Sequence, residues 1–432
     1  MKKFIIFLFI FIIHSSLFIT HCTSQWVQQT LSVGGPTNDI AFFDANTGII
    51  ALNTNPGVIY RTTNGGYTWS LINYIRIFNF NKVDSQVVYG NGRDVNANDV
   101  IYRSFNRGLS WDSVSITPAA YTDLSFINSD TGWICGHNGN FGAIWKTTNG
   151  GITLTEQVSS GTSGMNRIFF LKTRVNGEYW GWCSQGPIMR RTTNSGVIWE
   201  QLATQSAGNQ IQFINKDTGW ASNGNLFKTT NSGVNWVSQQ MPGAAKFIFI
   251  NNDIGYTTGN IIVINGQYRG VIWKTTNGGL NWGYQLPDTS IHVFTYEVID
   301  FIDSLTGWAY NSNGNVGIHT TNGGGPMIMG IKPVDNKLPE NFKLYQNYPN
   351  PFNPVTSIQF QVSVNSNVKL IVYDILGKEI TTLLNEKESP GTYKISFDGS
   401  DLSSGIYFYT LFISDLKNNN IYKETKSMIY LK

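Results

Sequence analysis

One eight-residue phrase recurs seven times along this chain, and nothing else in the sequence restricts its folding so strongly. The clearest copy is Thr275-Thr276-Asn277-Gly278-Gly279-Leu280-Asn281-Trp282, and the others start at Thr62, Ser104, Thr147, Thr192, Thr229 and Thr320. Each has Ser or Thr first, Asn third (Asn64, Asn106, Asn149, Asn194, Asn231, Asn277 and Asn322) and Gly fifth. Trp stands eighth in five copies, Leu154 takes that place in the third, and the seventh has no counterpart. Successive Asn residues lie 42, 43, 45, 37, 46 and 45 residues apart, which is the spacing of a repeated supersecondary unit.

β-formers flank each copy, as in Val58-Ile59-Tyr60-Arg61-Thr62 before Asn64 and Tyr67-Thr68-Trp69 after it. Asn followed by Gly or Ser and then Gly adopts positive φ cheaply, so each copy predicts a hairpin turn. The opening hydroxyl is expected to bond across the turn and the closing aromatic to pack beneath it. A second pattern precedes each turn: Phe126 to Trp133, Phe213 to Trp220 and Phe301 to Trp308 read as an apolar strand, a Thr-Gly turn and another strand. The weaker copy is Phe249 to Tyr256, and Val87-Val88-Tyr89-Gly90 is a degenerate one. Four strands per repeat at this period predict the blades of a β-propeller. The last copy lacks a fourth strand, and Gln25-Trp26-Val27-Gln28-Gln29 resembles the missing one. The expectation is a seven-bladed ring in which the N-terminal strand completes the seventh blade and covers its edge.

Composition agrees with an all-β, turn-rich chain: 13% charged, 14% aromatic and 44 Gly. The formal net charge of +3 gives no ground for a nucleic-acid partner. Residues 1–24, with Lys2 and Lys3 before the apolar run Phe4 to Ile13, read as a Sec signal peptide too short to span a bilayer. A lipoprotein site at Cys22 is the rival, and His21 before it is a poor fit. After cleavage no transmembrane segment is expected, and only Cys135 and Cys183 remain. They stand at different offsets from Trp133 and Trp182, so two buried thiols are favoured over a disulfide.

The repeats are expected to fill residues 25–325. A linker at 326–337 carries Gly330 and Pro333, and residues 338–432 follow as a second domain with more Lys, Glu and aliphatics. Alternating stretches Ser357 to Val362, Val368 to Tyr373, Tyr393 to Phe397 and Ile406 to Ile413 predict a small antiparallel, Ig-like β-sandwich.

This second domain is similar to the type A sorting domain of the type IX secretion system. The resemblance rests on Gln346-Asn347-Tyr348-Pro349-Asn350-Pro351-Phe352-Asn353-Pro354, Val372 to Gly377, Ser404 to Tyr409 and Lys426 to Lys432. It implies a Gram-negative source, the type IX machinery as partner through 338–432, and a secreted or surface-attached product. The repeats resemble the Asp-box (BNR) repeats of sialidase-like propellers, with Asn in place of Asp in all seven. Their paired Phe-x-x-x-x-Thr-Gly-Trp strands resemble the photosystem II assembly and stability factor family. Those resemblances imply the fold; a photosynthetic role would conflict with a secretion signal.

No catalytic motif stands out. The seven box Asn residues read as structural turns, since a site rarely needs every blade. His137, His292 and His319 lack metal-ligand spacing, and no metal or other cofactor is expected. Arg61, Arg103 and Arg191, with Lys146, Lys228 and Lys274, read as solvated strand positions rather than a carboxylate clamp. One constellation remains. If the first strand of each blade lines the axis, the positions three before the aligned Phe are Asp39, Asp123, Arg167, Gln210, Lys246 and Val298, with Arg76 and Glu297 beside them. These are candidates for a binding mouth opposite the box turns, although ordinary solvated strand ends would look the same. The expected function is a monomeric, non-enzymatic module that binds protein or polysaccharide. The alternatives are a glycoside hydrolase using channel carboxylates such as Asp39, Asp123 and Glu297, or an assembly chaperone.

Overall fold

The computed structural model describes residues 26–432 apart from 32–33, 116–119, 162–163, 203–207, 240–245, 260, 265–266, 289, 326, 328–331, 336–338, 340, 389 and 416–418. The stretch read as a signal peptide lies outside the described residues. Among the described residues the chain is all-β, and the strands from Val27 to Thr320 form seven four-stranded antiparallel sheets. Blade 1 runs outward from the inner strand Thr37–Phe42 through Gly48–Leu52 and Val58–Thr62 to Ser70–Asn73. Blades 2 to 5 repeat that order from inner strands Arg76–Lys82, Ala120–Phe126, Arg167–Phe170 and Gln210–Phe213. Blade 6 begins at Phe247–Phe249 and carries an added hairpin, Ile261–Ile264 with Gln267–Gly270, between its second and third strands. Blade 7 begins at Tyr296–Phe301, and its fourth strand is Val27–Thr30, paired with Val316–Thr320 in the register Val27↔His319. The fold is therefore a seven-bladed β-propeller with the N-terminal strand completing the last blade, as the repeat pattern predicts.

The recurring phrase makes the turn between strands three and four. In all seven copies the opening hydroxyl donates to the Asn carbonyl oxygen at 2.9–3.1 Å. The same hydroxyl accepts from the backbone N–H of the fifth residue at 2.8–3.0 Å. The fourth and fifth residues both have positive φ, as at Gly65 (70°) and Gly66 (93°). This explains the Gly pairs, while Arg107, Ser195 and Ser232 adopt the same conformation without that freedom. In four of the five boxes that have it, the eighth-place Trp meets its own blade's inner Phe edge-on, for example Trp199 against Phe170 at 5.7 Å and 82°, while Trp111 lies over Phe80 with the planes at 27°.

The second pattern builds the seams between blades. The Trp or Tyr at this place in the second strand stacks on the inner Phe of the next blade at 3.5–3.9 Å in six of seven seams: Tyr89 on Phe126, Trp133 on Phe170, Trp182 on Phe213, Trp220 on Phe249, Tyr256 on Phe301 and Trp308 on Phe42. The Gly beside it leaves room for its own blade's Phe; a Cβ on Gly132 would meet the Phe126 ring at 2.5 Å. At the first seam Ile49 replaces the aromatic, and it packs with Ile77, Val88 and Val100 instead.

The basic residue before each box is part of the same seam, which corrects its reading as a solvated strand position. Arg61 donates to the Arg107 carbonyl at 3.0 Å, Arg103 to Gly150 at 3.1 Å, Lys146 to Ser195 at 3.1 Å, Arg191 to Ser232 at 3.2 Å and Lys274 to Gly323 at 3.4 Å. Each acceptor belongs to the box turn of the following blade. Lys146 and Lys228 also lie over the rings of Trp133 and Trp220, both at 5.2 Å. A cation here bridges two blades by satisfying turn carbonyls that the hairpin leaves unpaired.

The C-terminal strands form two further sheets packed face to face. One orders Lys332–Asp335, Gly391–Asp398, Val355–Val362 and Lys343–Leu344; the other orders Glu379–Glu388, Ser366–Tyr373, Gly405–Ser414 and Asn420–Tyr430. Their core holds Ile358, Phe360, Leu370, Ile395, Phe397, Tyr409 and Leu411. Lys332–Asp335 lies in the stretch expected to be a linker. It is an edge strand paired with Gly391–Asp398, where Pro333 is tolerated because its missing N–H is not needed by a further neighbour. This module touches blade 6: Lys274 Nζ lies 2.6 Å from Asp401, and the Thr276 hydroxyl donates to Asp398 at 2.6 Å.

Candidate functional site: the mouth of the central channel

Because each blade is an antiparallel meander, the first and third strands end on the same face. The box turns lie on that face, and the beginnings of the inner strands lie on the other. There a cavity of about 320 Å³ opens, lined by Thr37, Asn38, Asp39, Asn79, Phe80, Asp123, Arg167, Asn209, Gln210, Lys246, Glu297 and Val298. It brings together Asp39, Asp123, Arg167, Gln210, Lys246, Glu297 and Val298 from the sequence-derived set. Arg76 is not among them; it stands at the start of the blade 2 strand, where it donates to the Thr54 carbonyl at 3.1 Å. Asn79 occupies the equivalent place in blade 2 and was missed, because Lys82 stands where the other blades have the guiding Phe.

Most of this polar ring works as a belt between inner strands. Asp39 accepts from the Phe80 N–H at 2.8 Å, Asp123 from Ile168 at 3.0 Å, Asp300 from Phe42 at 2.7 Å and Asn81 from Phe126 at 2.8 Å. Gln210 accepts from the Phe247 N–H at 2.9 Å and donates to its carbonyl at 2.6 Å; Gln212 does the same to Phe249 at 2.8 and 2.7 Å. Each bond crosses from one blade to the next, satisfying the free edge of an inner strand. This accounts for polar residues in the ring more directly than solvated strand ends do.

Two cations complete the mouth. The Lys246 ammonium crosses from blade 6 to the Asp39 carboxylate of blade 1. Arg167 donates to the Asn209 carbonyl at 2.6 Å and to Thr122 at 3.5 Å. Burial raises the Asp123 carboxyl above its ordinary value, and the nearby Arg167 opposes this. Asp300, deeper in the channel, is raised by burial against the pull of Lys82 at 4.0 Å. Burial also raises Glu297, which has no hydrogen-bond or ion-pair partner among the described residues. On the box-turn face, Lys172, in the long connection 171–180 between the first two strands of blade 4, reaches the Lys82 and Val83 carbonyls of blade 2 at 2.8 and 2.6 Å. That side chain ties blade 4 to blade 2 on this face.

His137, His292 and His319 do not converge, and among the described residues no three His, Cys, Asp or Glu side chains cluster so as to hold a metal ion. Cys135 and Cys183 are buried free thiols in one core cluster between blades 3 and 4. No helix of the described residues is long and apolar enough to cross a membrane.

Fold and site together define a closed propeller with a polar mouth to its central channel and a β-sandwich appended to it. Residues 346–429 match the family described as the secretion system C-terminal sorting domain, so this part of the chain is a type IX sorting domain that directs export to the cell surface. No curated protein matches the chain. Among solved structures the chain is similar to YCF48 bound to D1 peptide (16% identity, TM-score 0.50), covering 69% of this chain and 97% of that one. It is also similar to the GH74 enzyme of Niastella koreensis (14% identity, TM-score 0.51), covering 91% of this chain and 67% of that one. At these identities the likenesses concern the fold.

Proposed function

We propose that this protein is a secreted or surface-attached binding module that carries no catalytic activity. Residues 1–24 serve as its Sec signal peptide and residues 338–432 take it through the type IX machinery. The propeller, residues 25–325, engages a protein segment or a polysaccharide at the channel mouth. The observation that carries the non-enzymatic reading is the use made of the carboxylates. Asp39 and Asp123 accept backbone N–H bonds from the next blade, and Asp39 is also paired with Lys246. Glu297 alone at the mouth keeps a carboxylate without a partner, whereas glycoside hydrolysis ordinarily needs two.

A second reading, a glycoside hydrolase, has one observation in its favour: Glu297 is held above the usual carboxylate range by burial, which suits a general acid. A polysaccharide array with product analysis separates the two. Binding without released sugar supports the module. Turnover that is lost in Glu297→Gln, with folding unchanged, supports the hydrolase. The YCF48 structure is of a complex with a peptide, so an assembly chaperone is a third reading; capture of one client by the wild type and not by Arg167→Ala would favour it.

A further inference from the structure

On the mouth face, the added hairpin of blade 6 places Tyr268 beside Phe294, with ring centroids 5.7 Å apart. Both residues are 60% exposed, and they adjoin each other, where single exposed aromatics would need no explanation. The arrangement is held from below. Arg269, buried, donates to the carbonyls of Asp288 at 2.9 Å and Ile291 at 3.2 Å, and the Gly270 N–H donates to Val293 at 2.8 Å. The hairpin is thereby pinned to the segment that carries Phe294, and the two rings are set before any ligand arrives.

Phe294 also lines a pocket of about 250 Å³ with His292, Asn311, Ser312, Asn313 and Asn315. The lining contains no Asp, Glu, Lys or Arg. The exposed side chains of Ser312 and Asn313 have no hydrogen-bond partner among the described residues, while their backbone carbonyls hold Thr37 at 3.0 Å and Gly35 at 2.6 Å. Asn315 spends its oxygen on Asn311 at 3.0 Å and keeps its N–H donors for solvent. Fixed aromatic faces beside neutral amides and a hydroxyl fit a ligand with apolar C–H faces and many uncharged hydroxyls. An acidic polymer would find no Lys or Arg in this lining, and an apolar peptide would leave the amides unpaired.

We propose that Tyr268, Phe294 and the adjoining amide pocket form a binding site for a neutral polysaccharide strand. The site stands apart from the channel mouth and does not depend on what that mouth binds. The full chain should be retained in affinity gels by at least one neutral glucan, mannan, xylan or galactan, and not by polygalacturonate alone. Tyr268→Ala and Phe294→Ala should each weaken retention by about tenfold or more, as loss of an aromatic anchor does. Tyr268→Trp should preserve it, and Tyr74→Ala, at an exposed aromatic in another blade, should leave it unchanged. Unaltered thermal melting of the variants would show that folding is intact. The proposal is overturned if no neutral polysaccharide retains the protein, if only the acidic one does, or if Arg167→Ala abolishes retention while both aromatic variants leave it intact.

Discussion

Trp26 meets Phe301 edge-on, with ring centroids 6.0 Å apart and planes at 89°. The eighth-place Trp of four other boxes, Trp69, Trp199, Trp236 and Trp282, holds the same relation to its own blade, as Trp282 does to Phe249 at 5.9 Å and 81°. The seventh box is thus split. Its Thr320 to Gly324 comes from one end of the propeller and its Trp from the other, and Trp26 Nε1 donates to Gln285 at 3.2 Å. Replacing Trp26 with Ala should cost about 3–5 kcal/mol, the usual loss for a buried Trp. Chemical denaturation should show the lower midpoint, and Trp26→Phe should recover part of it.

The box hydroxyl can be tested in isolation. Thr229 accepts from the N–H groups of Asn231 at 3.3 Å and Gly233 at 3.0 Å. Thr229→Val keeps the shape and leaves a buried donor unpaired, for an expected loss of about 1–3 kcal/mol. Thr229→Ser should lose much less. If Val and Ser variants melt together, the hydroxyl is not what holds the turn.

Aromatic seams leave no space beneath the Phe rings. Gly132→Ala would drive a Cβ to 2.5 Å from the Phe126 ring, so the ring must leave its stack with Tyr89. The expected cost is about 1–3 kcal/mol, the range for overpacking. Near-ultraviolet circular dichroism should report the altered aromatic packing alongside the lower melting temperature.

Asp300 predicts a pH dependence with a definite sign. Burial raises its folded-state value above 3.8, so in the window above 3.8 the native state binds more protons than the unfolded one. This group's contribution therefore weakens as pH rises through that window, and is most favourable below it. Lys82 and Lys246 oppose the shift, and Asp39 adds to it. Asp300→Asn should still accept the Phe42 N–H, and should flatten the stability profile in mild acid. An unchanged slope across that window would contradict the assignment.

The Lys274–Asp401 pair, at 2.6 Å with Lys274 only 3% exposed, joins the sorting domain to the propeller. Reversing the charge with Asp401→Lys should uncouple the two. Calorimetry should then show separate transitions for the propeller and the sandwich, against a single coupled transition expected for the wild type.

Much of the fold was legible because hairpin turns and cross-blade stacking demand particular residues at a fixed period. The channel ring was legible for the same reason: the inner Phe marks the strand, and counting back three positions reaches the axis. In blade 2 Lys82 replaces that Phe, so the count has no anchor there: it passes over Asn79 and sets Arg76 beside the ring. The Arg and Lys before each box were misread because a strand position says nothing about a carbonyl 40 or more residues later, as Arg61 and Arg107 illustrate. Pro333 disguised an edge strand, since the same residue marks linkers. The Tyr268–Phe294 platform was invisible because it depends on two loops that the repeat does not specify.

The split box also means that the circle has no privileged beginning. Linking Gly325 back to Trp26 and opening the chain between blades 2 and 3 should give a permuted protein with the same seven wedges. In such a rearranged ring, all seven wedges would be stitched by continuous chain.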